Sequence, residues 1–279
     1  MRGPEKHVLD PIGDGNRFSD QITHQENEMN REATDLAGVR HVKFETLGST
    51  NAEALARARA GERGPLWISA KTQDAGRGRR GNAWVSPPGN LYATLLLTEP
   101  SPPASAPQLS FVAALALHDA VCECAPQLGP ALKVKWPNDL LLGLVKLAGI
   151  LIEGESEPIF AVAVGIGANC VSHPVETPFP ATDLAAAGAL VTPDALLAAL
   201  AAAITRRSDQ WRRGEGFAAI RADWLKRAAG LGQPIKVRLP ERELAGRFHG
   251  LDEAGRLQLD RPEGLTTVTA GEVFGLGGG

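Results

Sequence analysis

A chain of 279 residues, 43% hydrophobic and 22% charged, has enough apolar material for one good core and a small second domain. Its formal net charge of −3 excludes a global nucleic-acid footprint, so any basic function must be local. Three cysteines make neither a disulfide framework nor a four-ligand zinc set, and no run approaches the ~18 apolar residues of a membrane span, so a cytoplasmic location is the simplest fit.

Residues 1–38 are rich in Asp, Glu, Asn, Gln and Gly without a sustained apolar period, which predicts a polar, disordered arm. They show neither the apolar core of a secretory signal nor the paired amphipathic helices of a helix-turn-helix. Arg40 to Glu45 alternates like a strand. Gly48-Ser49-Thr50-Asn51 then opens a helix over AEALARARA, with Thr50 and Glu53 spaced as a capping box. Ser49, Thr50 and Asn51 are therefore either caps or ligand contacts. Leu66 to Ala70 reads as a short buried strand.

That strand leads into Gln73 to Asn82, QDAGRGRRGN. Its glycines let a ligand approach the backbone, and Arg77, Arg79 and Arg80 add fixed positive charge. A flexible, cationic, amide-rich loop is a candidate clamp for phosphate or carboxylate, and equally a solvated turn or basic patch. After Trp84, Leu91 to Thr98 predicts a central strand and Leu109 to Cys124 a buried helix. Leu132 to Trp136 predicts a strand cut by Pro137, and LAGILIEG another. Ile159 to Val164 predicts a strand ending in Gly165-Ile166-Gly167-Ala168-Asn169. Thr192-Pro193-Asp194 opens a helix through Trp211, and Gly216 to Ala229 predicts a further helix. Beyond Gly230, short strands separated by Gly, Pro and Asp predict a small β domain.

Four stretches carry chemistry: Gly48 to Asn51, GRGRRG, Lys135-Trp136-Pro137-Asn138-Asp139 with Lys146 beyond it, and Gly165 to Asn169. Their order resembles that of the biotin protein ligases, from about Val39 to about Gly271. The resemblance implies an α+β fold, with a mixed β-sheet flanked by helices over 39–230 and an SH3-like barrel over 231–279. It implies that biotin is activated with ATP as biotinyl-5′-AMP and passed to a lysine of a biotin carboxyl carrier domain. By that resemblance Ser49, Thr50, Asn51 and Gln73 bind biotin, and Arg77, Gly78 and Arg79 surround its carboxylate and the adjoining phosphate. Lys146 contacts the same oxygens and stabilises the transition state. Trp84 packs on adenine, with Asn138 and Asn169 in the nucleotide region. Asp139 is a candidate Mg²⁺ ligand, an orienting group for Lys135, or a helper in deprotonating the incoming lysine. Mg²⁺ accompanies ATP, and no prosthetic group is implied.

Two departures from the family pattern stand out. Asn82 replaces a frequent arginine after GRGRRG, and the tail GEVFGLGGG lacks one too. No specific DNA binding and no membrane partner are expected, and monomer versus homodimer stays open. A lipoate or octanoate ligase is the alternative enzyme, and a nucleic-acid module the alternative of another class.

Overall fold

The computed structural model describes residues 32–175, 177 and 179–276. An eight-stranded sheet has the order β1-β2-β3-β4-β8-β7-β6-β5. Its strands are β1 (Glu32–Leu36), β2 (Val39–Leu47), β3 (Leu66–Gln73), β4 (Leu91–Thr98), β5 (Leu132–Lys135), β6 (Asp139–Leu142), β7 (Val145–Glu155) and β8 (Ala161–Ala168). Only β2 and β3 run parallel. A parallel pair needs a crossover, and helix α1 (Thr50–Arg59) supplies it.

Side-chain alternation sorts the sheet residues onto two cores. Leu91, Ala93 and Leu95 of β4, with Val162, Val164 and Ile166 of β8, join the larger core. That core takes in α2 (Leu109–Cys124), α3 (Pro193–Trp211) and α4 (Phe217–Arg227). Leu96, Ala161 and Ala163 face the smaller core under α1. Helix α2 is apolar around most of its circumference because it is buried between the sheet and α3.

Several boundaries differ from the sequence expectation. Strand β1 lies inside the segment expected to be a disordered arm; it pairs antiparallel with β2, and backbone pairing there overrides its polar composition. The rest of that arm, residues 1–31, lies outside the described residues. The cap of α1 is Ser49 rather than Thr50: its Oγ accepts from the Ala52 amide at 3.5 Å. Glu53 consequently falls outside the capping box and pairs with Arg57 at 2.7 Å. Thr192 caps α3 as expected, accepting from the Ala195 amide. Strand β8 runs through Gly165, Ile166 and Gly167 instead of ending before them.

The second sheet holds β9 (Pro234–Arg238), β10 (Glu243–Leu251), β11 (Leu257–Arg261), β12 (Gly264–Val268) and β13 (Glu272–Phe274). Its antiparallel order is β12-β11-β10-β9-β13. The small β domain is thus present, and no backbone pairing closes β12 on β13 among the described residues. Trp136 ties the two sheets together, its buried Nε1 donating to the Gly255 carbonyl at 3.1 Å. A Cβ on Gly255 would lie 2.8 Å from the Phe111 ring, so this close approach needs glycine.

His41 on β2 is buried between Thr34 and Ser69, at 3.1 and 2.7 Å. Burial, then the neighbouring charge of Lys43, lowers its pKa from 6.5 against the opposing pull of Asp194. The unfolded chain then binds this proton more readily than the folded one. Stability is expected to be full above pH ~6.5 and to fall as pH drops toward the folded value. Urea melts between pH 5 and 7 should show that slope, and His41→Gln should flatten it.

Candidate active site

The face bearing α1 continues past the helix N-terminus as a floor without side chains. Gly149 on β7 and Gly165 and Gly167 on β8 form this floor of a cleft of about 570 Å³. Each glycine is occupied from above. A Cβ on Gly167 would meet the Trp84 indole at 2.5 Å, and one on Gly165 would meet Asn51 Oδ1 at 2.2 Å. Trp84 Nε1 is buried there without a hydrogen-bond partner.

One end of the cleft is a polar cluster at the start of α1. The Thr50 amide donates to Gln73 Oε1 at 2.9 Å, and Gln73 Nε2 donates to Ser86 Oγ at 3.0 Å. Asn51 Nδ2 donates to the Leu151 carbonyl at 3.3 Å and to Glu153 Oε2 at 2.8 Å. Buried Thr94 donates to Asn51 Oδ1 at 2.6 Å or to Thr50 Oγ1 at 2.8 Å. These bonds leave a defined remainder among the described residues: the Ser49 hydroxyl proton, one Gln73 amide proton and one lone pair on Asn51 Oδ1.

The arginine loop folds as a hairpin. Gly78 N donates to Asn82 O at 2.7 Å, and Trp84 N donates to Gly76 O at 2.9 Å. Gly76 is required, because a Cβ would sit 2.4 Å from the Trp84 carbonyl oxygen. Arg80 takes the left-handed region at φ 56, followed by Gly81 at φ 76. Arg77 Nη2 contacts both oxygens of Glu153, at 3.2 and 3.1 Å. Arg79 Nη1 reaches Asn138 Oδ1 and the Gly271 carbonyl, each at 3.4 Å, so it links the hairpin to both sheets. Burial and then the charge of Arg80 lower the Arg79 pKa, with Asp139 and Glu272 opposing.

Across the floor, Asp139 sits between two lysines. Its Oδ2 lies 3.0 Å from Lys135 Nζ and its Oδ1 lies 2.8 Å from Lys146 Nζ, the latter as an ion contact without hydrogen-bond alignment. Side-chain exposures of 6% for Lys135 and 8% for Asp139 make theirs a buried pair. Burial works to raise the Asp139 pKa, but the charges of Lys146 and Lys135 outweigh it and hold the carboxyl below its ordinary value. Lys146 reaches this face through a bulge: Leu140 pairs with Ala148 but Leu141 with Lys146. The extra residue sends Leu147 into the larger core and Lys146 to the glycine face, with Nζ 5.3 Å from the Trp84 ring centroid.

The segment after β8 straps over this corner. Lys146 N donates to the Pro180 carbonyl and Thr182 N donates back to the Lys146 carbonyl, both at 2.9 Å. Asn169 Nδ2 donates to the Thr182 carbonyl at 2.9 Å, and Phe179 places its ring 4.9 Å from Lys135 Nζ. Asn138 Nδ2 is likewise committed to a backbone carbonyl, that of Ile150.

The cleft thus brings together the sequence-predicted residues Ser49, Thr50, Asn51, Gln73, Arg77, Gly78, Arg79, Trp84, Asn138, Asp139, Lys146 and Asn169. Trp136 combines a core position with one wall of the cleft. Sequence reasoning did not single out Lys135 as a site residue, nor Thr94, nor the wall that Arg238, Gly271 and Glu272 of the second sheet contribute. For Lys135 a signal existed, a lysine between the core residues Val134 and Trp136; Thr94 looked like any strand threonine. Asp139 does not fit a Mg²⁺ ion, since two ammonium groups within 3.0 Å already take its oxygens. Among the described residues no group of three or more His, Cys, Asp and Glu could hold a metal. No described helix is long and apolar enough to cross a membrane.

The cleft therefore combines a bare glycine floor, a cationic hairpin and a lysine paired with a buried carboxylate. Residues 41–169 match the Biotin/lipoate A/B protein ligase family, and residues 230–275 match the Biotin protein ligase C terminal domain. Over 236 residues the chain is 47% identical to a biotin–[acetyl-CoA-carboxylase] ligase of Paracoccus denitrificans, covering 81% of this chain and 96% of that protein. The chain belongs to the biotin protein ligase family. Its fold matches the Aquifex aeolicus biotin protein ligase in complex with biotin and ATP, with a TM-score of 0.71 and 25% identity over 84% of this chain and 97% of that one. It also matches the Leishmania major biotin protein ligase in complex with biotinyl-5-AMP, at TM-score 0.59 and 26% identity over 82% and 98%.

Proposed function

We propose that this chain is a biotin–[biotin carboxyl carrier protein] ligase, forming biotinyl-5′-AMP from biotin and ATP and transferring the biotinyl group to a carrier lysine. The observation that carries this reading is the meeting, on one glycine floor, of the polar cluster, the arginine hairpin and Lys146. The unused valences of the cluster fit a cyclic urea. The Ser49 hydroxyl and the Gln73 amide supply donors for its carbonyl, and Asn51 Oδ1 supplies an acceptor for one N–H. The valerate chain would then run along the glycines toward Arg77, Arg79 and Lys146.

The first step needs no base, because a carboxylic acid is already ionised at neutral pH. A biotin carboxylate oxygen attacks the α-phosphorus, a P–O bond to the β-phosphate breaks, and pyrophosphate leaves. The obstacle is bringing two anions together and spreading charge over the phosphate. Arg77, Arg79 and Lys146 supply that field, while Trp84, Asn138 and Asn169 border the nucleotide. In the second step the carrier amine, having lost its ammonium proton to solvent, attacks the biotinyl carbonyl carbon; the C–O bond of the anhydride breaks, AMP leaves, and the amide nitrogen gives up a second proton to solvent. Asp139 is a poor base for that amine: it is buried, doubly paired and held ionised. Its role in this reading is to position Lys135 and Lys146.

Incubation with ATP, Mg²⁺ and a carrier domain, with biotin in one arm and lipoate in another, tests the reading. Mass spectrometry should find the acceptor lysine biotinylated. Modification by lipoate instead would turn the assignment to the lipoate branch. Arg79→Gly cuts the hairpin's links to Asn138 and Gly271. It is expected to release adenylate and label a bystander protein that the unaltered enzyme leaves unlabelled. The polar composition of residues 1–38 supports ligase action without operator binding, and a gel shift with specific DNA would contradict that.

A further inference from the structure

Among the described residues, Glu153 is the one carboxylate joined by hydrogen bonds to both ends of the ligand path. Its two oxygens face Arg77 Nη2 at 3.2 and 3.1 Å, and its Oε2 also accepts from Asn51 Nδ2 at 2.8 Å. It stands on β7 two residues beyond Leu151, on the same face as Gly149. Only one of the three guanidinium nitrogens of Arg77 is engaged by Glu153, which leaves the others for an incoming anion.

From this geometry we infer that Glu153 is a positioning residue for biotin. It holds the Arg77 guanidinium ready for the biotin carboxylate and fixes Asn51 with Oδ1 as the acceptor presented to the ligand. The inference rests on the biotin assignment above. Two effects oppose each other. A carboxylate near the site repels the anionic ligand, but Arg77 is half-exposed and its hairpin carries two further arginines. An unanchored arginine would lose rotamer freedom on binding, and that ordering cost exceeds a water-screened repulsion. The same carboxylate denies Asn51 the freedom to turn its amide, because both Nδ2 protons are used, on Glu153 and on the Leu151 carbonyl.

Glu153→Gln separates the two ties. A glutamine Oε1 still accepts from Asn51, whereas the charged hold on Arg77 is gone. Titration calorimetry with biotin is expected to show about tenfold weaker binding for E153Q, with ATP binding within about twofold of the unaltered enzyme. In an Arg77→Met background the same substitution is expected to change biotin binding by less than about twofold, since the partner it acts through is absent. Glu153→Ala also drops the Asn51 tie, and so should weaken biotin binding in both backgrounds. Unchanged or tighter binding by E153Q, or an equal loss in the Arg77→Met background, would overturn the inference. So would an equal loss of ATP affinity, which a general disturbance of β7 produces. If the unaltered enzyme itself fails to bind biotin, the biotin assignment fails instead, and the two failures are told apart in that first titration.

Discussion

Lys146→Met is expected to slow biotinyl-5′-AMP formation by about 10²–10³-fold, the cost of removing one preorganised charge from a developing oxyanion. Methionine keeps most of the length and the apolar stem, so the packing of β7 survives, while the charge and with it the ammonium's contact over the Trp84 ring do not. Rapid-quench measurement of the adenylate reads the effect. Because the lysine acts where phosphate charge develops, the loss should fall on the rate of adenylate formation more than on biotin affinity. A variant that formed adenylate at the unaltered rate would remove Lys146 from the chemistry and leave it as a partner of Asp139 only.

Asp139→Asn has the largest expected effect on stability. The substitution conserves shape but leaves Lys135 buried beside a neutral amide. Breaking a buried pair on one side costs about 3–5 kcal/mol, because the remaining charge is uncompensated. Urea denaturation should show that loss, and adding Lys135→Met should recover much of it. The pH dependence carries a sign check. The folded pKa of Asp139 is depressed, so its contribution is fully present above the unfolded value of ~3.9 and is lost as pH falls through the folded value. The asparagine variant should lack that acid-side decline. Its chemistry also discriminates between roles. A positioning role predicts that adenylate formation suffers, through Lys146, more than transfer from preformed adenylate. Selective loss of transfer would restore Asp139 as the base.

Much of the site was legible because its residues cluster in short runs with few bland explanations. The hairpin is an example: glycines alternating with arginines have little use in a core, although at Gly76 the missing side chain makes room for the chain's own Trp84 carbonyl rather than for a ligand. The capping signal at Ser49 and Thr50 was legible as a helix start but not to the residue, since either side chain could cap. What stayed hidden depends on long-range pairing. The bulge that turns Lys146 onto the glycine face arises from the register of β6 against β7, and no local pattern encodes it. Glu153 and Thr94 gain meaning only when β7 and β4 are brought beside Asn51. Strand β1 was missed because its residues are polar and its order comes from pairing with β2. In β8 the glycines read as the end of a strand, whereas the strand continues and they mark where Trp84 and Asn51 lie against it.

The most direct test is exchange of labelled pyrophosphate into ATP by the unaltered enzyme, with no carrier present. Exchange that depends on biotin, is not supported by lipoate and is lost with Lys146→Met is the predicted result. No exchange with biotin, or equal exchange with lipoate, would contradict the condensation of biotin with ATP on this glycine floor.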